Sequence, residues 1–361
     1  MKGCNKLFVR FLLVASFLLL TVAPVSAQKE ANKEVDVKEI VFGHIMDSYE
    51  WHITEFNGKP IAIYLPVIVK GESSGWHIFF SSKFQGGHEY EGFYIATAGD
   101  YERKIVEKNA KGEVVRPLDI SITKNVFSLL LNSILLVVIM LSVTRFYKRN
   151  TYKKAPGGFI GMMEVVIMTI YQDVVITCVG KDYKRYAPYL LTVFFFILIN
   201  NLMGLIPFFP GGANVTGNIA ITVVLAFCTF IAVNVFGSKE YWKEIFWPEV
   251  PIWMKFPVPM MPAIEFVGIL TKPFALMIRL MANIMAGHAA ILGLTSLVFV
   301  TVSMGPAVNS GMTVVSVLFC LFMNCIELLV AFLQAYVFTM LSAVFIGLSR
   351  IESHHKEKTI E

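Results

Sequence analysis

The chain has 361 residues, of which 56% are hydrophobic and 16% are charged, and its mean hydropathy is +0.64. This composition excludes an ordinary soluble protein and is typical of a polytopic membrane protein. The formal net charge of +5 is small and gives no indication of nucleic acid as a partner, so its placement along the chain matters more than its size.

The first 27 residues have the pattern of a secretory signal peptide. Lys2, Lys6 and Arg10 precede an apolar run at 11–22, and the small residues at 25–27 fit a cleavage site. The run is short for a membrane span, which favours cleavage over the alternative of an uncleaved first helix. In both cases the residues that follow are predicted to lie outside the cytoplasm.

Residues 28–120 are predicted to form a small β-rich extracytoplasmic segment. A charged stretch at 28–37 is followed by strand-like runs at 60–69, 76–81 and 91–98, which are separated by glycine-containing turns.

Neither the histidines nor the cysteines predict a metal site. The histidines of this segment are His44, His52, His77 and His88, and the cysteines of the chain are Cys4, Cys178, Cys228, Cys320 and Cys325. The spacing matches no metal site, so surface histidines and small core cysteines are the favoured interpretation, without a disulfide framework.

Five membrane-crossing helices are predicted within residues 121–361, which form the membrane domain of an all-α fold. The predicted spans are 125–143, 189–209, 215–235, 263–303 and 312–348. The last two would be roughly 60 and 55 Å long, whereas a bilayer core is about 30 Å thick. They must therefore tilt steeply, kink or run partly across the membrane, and Pro273 offers one kink.

The segment 156–179 differs from the spans because it carries Glu164, Gln172 and Asp173 among apolar residues. This pattern is typical of an amphipathic helix on the membrane surface. A buried helix within the bundle is the alternative.

Basic residues predict the orientation. The basic segments are 145–154, 181–185, 238–244 and the tail 350–358, whereas the connections 210–218 and 303–311 carry no charge. By the positive-inside rule the basic segments are cytoplasmic, which places the C-terminus inside and the mature N-terminus outside. A signal peptide followed by five spans predicts the same orientation.

Arg279 places a fixed positive charge inside the penultimate apolar helix. Such a residue costs at least about 2.5 kcal/mol on insertion scales and by default indicates a functional site. Snorkelling to the interface is the alternative, and it is disfavoured because apolar sequence continues well beyond Arg279.

The face that carries Arg279 is small and smooth. Asn283 lies one turn on, Glu265, Lys272 and Arg279 recur every seven residues, and the small residues within about 40° of Arg279 are Gly268, Ala275, Ala286, Ala290 and Gly293. The opposite face is bulky and consists of Leu270, Met277, Met281 and Ile284. A small-residue face lets another helix approach closely, and the alternative is static packing with the arginine paired to an internal carboxylate.

The last helix carries a polar stripe whose members lie within about 80° of one another. They are Ser316, Cys320, Asn324, Glu327 and Gln334. Glu327 is expected to face the protein interior or water. Together with His288, which points away from the Arg279 face, it can exchange protons near neutral pH. A structural ion pair that only fixes helix register is the alternative.

The run from Lys272 to His288, Lys-Pro-x-x-Leu-x-x-Arg-Leu-x-x-Asn-x-x-Ala-Gly-His, resembles subunit a of the F-type ATP synthase. Residues 201–207 resemble the family's Asn-Leu-x-Gly-x-x-Pro segment, and Gln334 matches its Leu-Gln-Ala-Tyr motif. The resemblance extends over about 125–350 and does not cover the first hundred residues well.

The resemblance implies that Arg279 faces a rotating c-ring, keeps the ring carboxylate ionised and blocks a leak between two half-channels. The proton path implied is His288, Glu327, Gln334, Asn283 and Glu265. Many bacterial members have a glutamate at the position of His288 and a histidine at that of Glu327. Their exchange here, as in other members, suggests a coupled pair.

The predicted function is therefore that of a proton-translocating stator subunit in the F0 sector, non-catalytic and without a cofactor. The implied partners are the c-ring, the b subunits, the lipid bilayer and, indirectly, the F1 sector; the implied location is the bacterial inner membrane. No Gly-x-x-x-x-Gly-Lys-Ser/Thr loop is present, so ATP chemistry must occur in a partner. The coupling ion, proton or sodium, stays open.

Two other functions are possible interpretations of the same pattern. A secondary transporter would use Arg279 to bind an anion, but such proteins usually have an internal repeat, which this sequence lacks. A membrane anchor for the β-rich segment would need no intramembrane arginine, glutamate and histidine.

Overall fold

The computed structural model describes residues 46–56, 59–71, 75–97, 99, 101–109, 112–149, 156–206, 209–246 and 260–350. The predicted signal peptide, His44 and the basic tail beyond Arg350 lie outside the described residues.

In the described part of the chain, eight short strands precede the helix that begins at Lys124, and all of their pairings are antiparallel. They are β1 (Glu50–Phe56), β2 (Lys59–Tyr64), β3 (Pro66–Gly71), β4 (Gly75–Phe80), β5 (Phe93–Ile95), β6 (Ile105–Lys108), β7 (Val114–Val115) and β8 (Leu118–Asp119). The strand orders are β1-β2, β4-β3-β8 and β5-β6-β7. The strands lie in the same part of the chain as the strand-like runs of the sequence.

The sheets β4-β3-β8 and β5-β6-β7 share a small core. Val67 and Val69 of β3 are fully buried with Phe93 and Ile105. At the edge of this core, the Tyr49 hydroxyl donates a 2.5 Å hydrogen bond to Asp119. Burial raises the pKa of Tyr49, and the bond to Asp119 raises it further, so this hydroxyl stays protonated over the physiological pH range.

The rest of the described chain is helical. The helices are α1 (Lys124–Arg149), α2 (Gly158–Thr169), α3 (Tyr183–Leu205), α4 (Ile219–Asn234), α5 (Lys239–Phe246), α6 (Met260–Val300) and α7 (Pro306–Ser349). A π-helical stretch (Ile170–Ile176) and two short turns (Thr177–Val179 and Gly180–Asp182) connect α2 to α3.

Four helical stretches in the described part of the chain are long and apolar enough to cross a membrane: Lys124–Arg149, Gly158–Leu205, Ile264–Met304 and Pro306–Ser349. The mainly helical, polytopic class predicted from the sequence is therefore confirmed. The predicted span at 215–235 corresponds to α4, which has 16 residues. Its length of about 24 Å falls short of a bilayer core of about 30 Å.

The segment predicted as a surface helix packs one side against the bundle. Met163, Ile170 and Val174 are buried in the main core, which also includes residues of α3 and α7. Met162 and Val165 on its exposed side are apolar, so this side is not purely polar. The burial of one side agrees with the alternative interpretation, a helix that packs within the bundle. The position of this segment on the membrane surface stays a prediction.

Amide side chains join α3 to its neighbours inside the apolar bundle. Asn132 of α1 donates a 3.0 Å hydrogen bond to Asn200, and Asn201 donates a 3.2 Å bond to the Ala331 carbonyl of α7. Thr216 in turn donates to Asn201 at 2.6 Å. Polar groups among apolar helices are satisfied by such crossing bonds, which fix how the helices face one another.

The β strands are attached to the start of α1. The first helical amides have no partner inside a helix, and here the Asp47 carboxylate accepts from the Asn125 amide at 3.0 Å. Trp51 of β1 is buried and packs edge-on against Phe127 of α1 and Phe209, beside Ala213. The strands thus contact both α1 and the α3–α4 loop.

At the opposite end of the bundle, α7 approaches the backbone near α2 very closely. A Cβ at Gly347 would lie 2.0 Å from the Cys178 carbonyl oxygen, so only glycine fits. Next to it, Arg350 forms a 2.8 Å ion pair with Asp182 and donates to the Phe236 carbonyl at 3.0 Å.

We expect Gly347→Ala to lower the free energy of unfolding by about 1–3 kcal/mol, because backbone atoms must move to accommodate the methyl group. Thermal unfolding of the purified chain in detergent measures the effect. Gly311→Ala is the matched control, since no atom lies within 4 Å of its added Cβ and the helix is the same. Equal melting temperatures for the two variants would contradict the close approach.

Candidate functional site

Arg279 lies on an open face of α6. Its side chain is exposed and has no ion-pair partner among the described residues, which disfavours the static packing alternative. Ala275 and Asn283 beside it are also exposed. A guanidinium among apolar side chains at membrane depth requires water or an opposite charge, so this face is incomplete without a partner.

The other side of α6 holds the helix in the bundle. Leu276, Met277, Leu280 and Ile284 are buried there. Leu270, which the helical periodicity places on the same bulky side, is exposed. The bulky face is therefore buried near Arg279 but exposed at Leu270, about one turn before Pro273.

His288 and Glu327 meet between the two long helices. His288 Nδ1 lies 2.8 Å from Glu327 Oε1, a distance that fits an ion pair, although the two groups are not aligned for a hydrogen bond. Glu327 is 4% exposed, and its Oε2 has no hydrogen-bond partner among the described residues. A buried carboxylate in this position requires a proton, a water molecule or both.

Two glycines border this pair, and Gly287 is the one that a side chain would crowd. A Cβ at Gly287 would lie 2.8 Å from Glu327 Oε1. On the other side, a Cβ at Gly204 of α3 would lie 3.6 Å from His288 Nε2 and 3.5 Å from the Ala213 carbonyl oxygen. The imidazole therefore lies between the Glu327 carboxylate and the end of α3.

A second polar contact joins α6 and α7 close to the arginine. Asn283, one turn after Arg279, donates a 2.9 Å hydrogen bond to Gln334 Oε1. Gln334 is 4% exposed, whereas Asn283 is exposed. The bond positions the glutamine at the edge of the arginine face.

Glu265 lies apart from these groups. It precedes Arg279 by about 21 Å along the helix axis, and His288 follows Arg279 by about 14 Å. Glu265 is half-buried near Tyr241 of α5, whose pKa is raised by burial and, secondarily, by the charge of Glu265. The arrangement thus has titratable groups on both sides of a fixed positive charge.

The predicted polar stripe of α7 faces α6 for most of its length. Ser316 is buried and donates to the Leu294 carbonyl, while Asn324 is exposed. No group of three or more His, Cys, Asp or Glu residues that could hold a metal occurs in the described part of the chain.

The sequence reasoning missed the roles of Gly204 and Gly287. A glycine directly before His288 was a usable signal, since glycine permits close approach of a neighbouring helix. Which atom it would meet depends on the packing of α7, and this is visible only in the structure.

Comparison with known families matches residues 130–347 to the family described as ATP synthase A chain, and residues 40–123 to a domain of unknown function. The ATP synthase subunit a of Chlorobium phaeobacteroides (strain DSM 266) is 38% identical, over 76% of this chain and 84% of the relative. That of Chloroherpeton thalassium is 40% identical, over 66% and 70%. The ATP synthase subunit a 2 of Prosthecochloris aestuarii is 39% identical, over 78% and 86%.

We expect Gly287→Ala to displace the Glu327 carboxylate and separate it from His288, because the new methyl group occupies its position. The measurement is the Nδ1–Oε1 distance in a cryo-electron-microscopy structure of the variant.

Gly293→Ala is the matched control, because it lies on the same helix and its Cβ would have no atom within 4 Å. Both changes favour the helix equally, by about 1 kcal/mol. An unchanged pair in Gly287→Ala would show that the glycine is not required for it.

Proposed function

This chain belongs to the ATP synthase A chain family, and we propose that it conducts protons in that role by presenting Arg279 to a rotor between two half-channels. The chain is the proton-translocating stator subunit of the F0 sector of a rotary ATP synthase. The match of residues 130–347 to this family confirms the resemblance seen in the sequence.

The exposed, unpaired Arg279 is the observation that carries the proposal. Small residues surround it on this face, and no carboxylate of the described residues pairs with it, so the charge needs an opposite charge from outside the described part of the chain. A carboxylate on a passing rotor subunit supplies it. An arginine stays protonated under all physiological conditions, so it holds such a carboxylate ionised and cannot itself relay a proton.

His288 and Glu327 form the inner part of one half-channel. Their contact at 2.8 Å and the unpaired Oε2 of the buried glutamate support a site at which a proton is held and passed on. Asn283 and Gln334 line the way from this pair toward the arginine face. Glu265, on the far side of Arg279, belongs to the second half-channel.

The proposed partners follow from this geometry. The chain functions within an F0 complex that contains other subunits, with the c-ring against the arginine face and the b subunits elsewhere on the chain. It carries no catalytic site for ATP, which is made in the F1 sector. A secondary transporter with an anion-binding arginine is not favoured, because the family membership covers residues 130–347.

The proposed topology is that of a multi-pass protein of the bacterial inner membrane with five spans, α4 being the shortest. The basic residues that follow α1 and precede α3 are cytoplasmic by the positive-inside rule. The mature N-terminus and the β strands are then extracytoplasmic and the C-terminus is cytoplasmic. The proposed segments are the signal peptide at 1–27, the β-rich segment at 28–120 and the membrane domain at 121–361.

We expect Arg279→Lys to abolish proton-driven ATP synthesis in membrane vesicles. Lysine retains a positive charge, but it lacks the planar, permanently protonated head and can lose its proton when desolvated.

Lys272→Arg is the matched control on the same helix. Lys272 lies over the Phe345 ring at 5.7 Å, an interaction that arginine also makes, so synthesis should persist. Normal synthesis in Arg279→Lys would refute the assignment of the arginine, while loss in both variants would point to a general effect on α6.

We expect the double variant His288→Glu/Glu327→His to pump more protons than either single variant, because the double retains one imidazole and one carboxylate in contact. Groups that act together give non-additive effects in such a cycle. The measurement is ATP-driven acidification of inverted vesicles. Summed losses in the double variant would mean that the two residues work independently.

A further inference from the structure

One face of the sheet β4-β3-β8 is apolar although it does not face the core. Successive strand residues point to opposite sides, and Val67, Val69 and Phe79 point inward. The residues of the opposite side, called here the exposed sheet face, are Trp76, Ile78, Phe80, Leu118 and Ile120, with exposures of 55%, 73%, 60%, 57% and 56%. An antiparallel sheet with one face on a core normally turns polar side chains to water on the other.

The members of the exposed sheet face are neighbours in the register of the strands. Phe80 pairs with Pro66, Ile78 with Ile68, and Trp76 with Lys70. On the other side of β3, Lys70 pairs with Leu118, and the Ile120 amide donates to the Ile68 carbonyl at 2.9 Å. The apolar side chains therefore form one continuous surface rather than scattered residues, and such a surface indicates an interaction site.

This surface is held next to the beginning of a membrane span. Helix α1 begins at Lys124, four residues after Ile120, and four residues reach at most about 14 Å. The connection is not slack, because the Ile122 amide donates to the Pro66 carbonyl at 3.1 Å and the Lys124 amide to the Ser48 carbonyl at 2.8 Å. The sheet cannot move far from the membrane into which α1 inserts.

We propose that the exposed sheet face rests on the lipid bilayer beside α1, with its aromatic rings at the boundary between headgroups and acyl chains. Tryptophan is enriched at this depth. Lys70 lies on the middle strand between Trp76 and Leu118, with its ammonium 5.8 Å from the Trp76 ring centroid, and a long lysine side chain at this position can reach lipid phosphates. The proposal requires that α1 crosses the bilayer and is otherwise independent of the proton path.

The test is spin labelling in the whole ATP synthase, reconstituted in lipid vesicles and carrying Ile78→Cys in a background without the native cysteines. Oxygen concentrates in lipid, whereas a charged nickel chelate stays in water. The label at position 78 should collide readily with oxygen and several-fold less with the nickel chelate than a label at a water-exposed position of the same segment.

Gln85→Cys provides that water-exposed control, because Gln85 is an exposed polar residue of the same strand-rich segment. If position 78 meets the nickel chelate as freely as position 85, the face is in water and the proposal fails. If it meets neither reagent, a protein partner or another segment of this chain covers the face, and the proposal fails in that case also.

A second measurement leaves residue 78 unchanged and uses tryptophan fluorescence instead of a spin label. Brominated lipids quench tryptophan fluorescence at short range, so the intact complex should lose more emission to them than a Trp76→Phe complex does. Trp51→Phe is the matched control, since Trp51 is buried against protein and its loss should leave the quenching unchanged. Equal quenching in the unchanged and Trp76→Phe complexes would overturn the proposal independently of the spin labels.

Discussion

The unpaired charge of Arg279 is the constraint on which the rest of the membrane domain depends. Placing a guanidinium on an apolar helix costs free energy unless a partner or water receives it, so the fold must keep this one face open. The bulky side chains on the buried side of α6, such as Leu276 and Leu280, determine which face of the helix is directed outward. The hydrogen bonds donated by the side-chain amides of Asn132 and Asn201 then hold α1, α3 and α7 together.

The strands before α1 are connected to the His288 side chain through a short series of contacts. Trp51 packs beside Ala213, the Ala213 carbonyl lies against Gly204, and Gly204 faces His288. The loop between α3 and α4 is further fixed by the bond from Thr216 to Asn201. The position of His288 therefore depends on residues far from it in sequence.

Periodicity predicted the elements that are long and strongly patterned. The two last helices and the small face around Arg279 follow from spacing and residue type, whereas the coupling of His288 with Glu327 was suggested by the family resemblance. The length of α4 was overestimated, because apolar residues continue on both sides of a helix that ends at Asn234. The glycine before His288 indicated a close approach, but the atom that Gly287 meets and the burial of Trp51 depend on contacts between distant segments, which a single sequence does not identify. For the same reason the strand-like run at 76–81 gave no indication that its apolar residues would face outward.

The two kinds of charged group near the middle of α6 are suited to opposite tasks. A guanidinium keeps its proton at any physiological pH, so it attracts a carboxylate and stops protons from passing along the helix. An imidazole beside a carboxylate exchanges protons near neutral pH, and a carboxylate oxygen without a partner, as in Glu327, is a place where a proton can arrive. About 14 Å of helix separates His288 from Arg279, so the titratable pair and the fixed charge are not in direct contact. In the function proposed above, a group on the rotor closes this gap, and the open small-residue face of α6 is where it can do so.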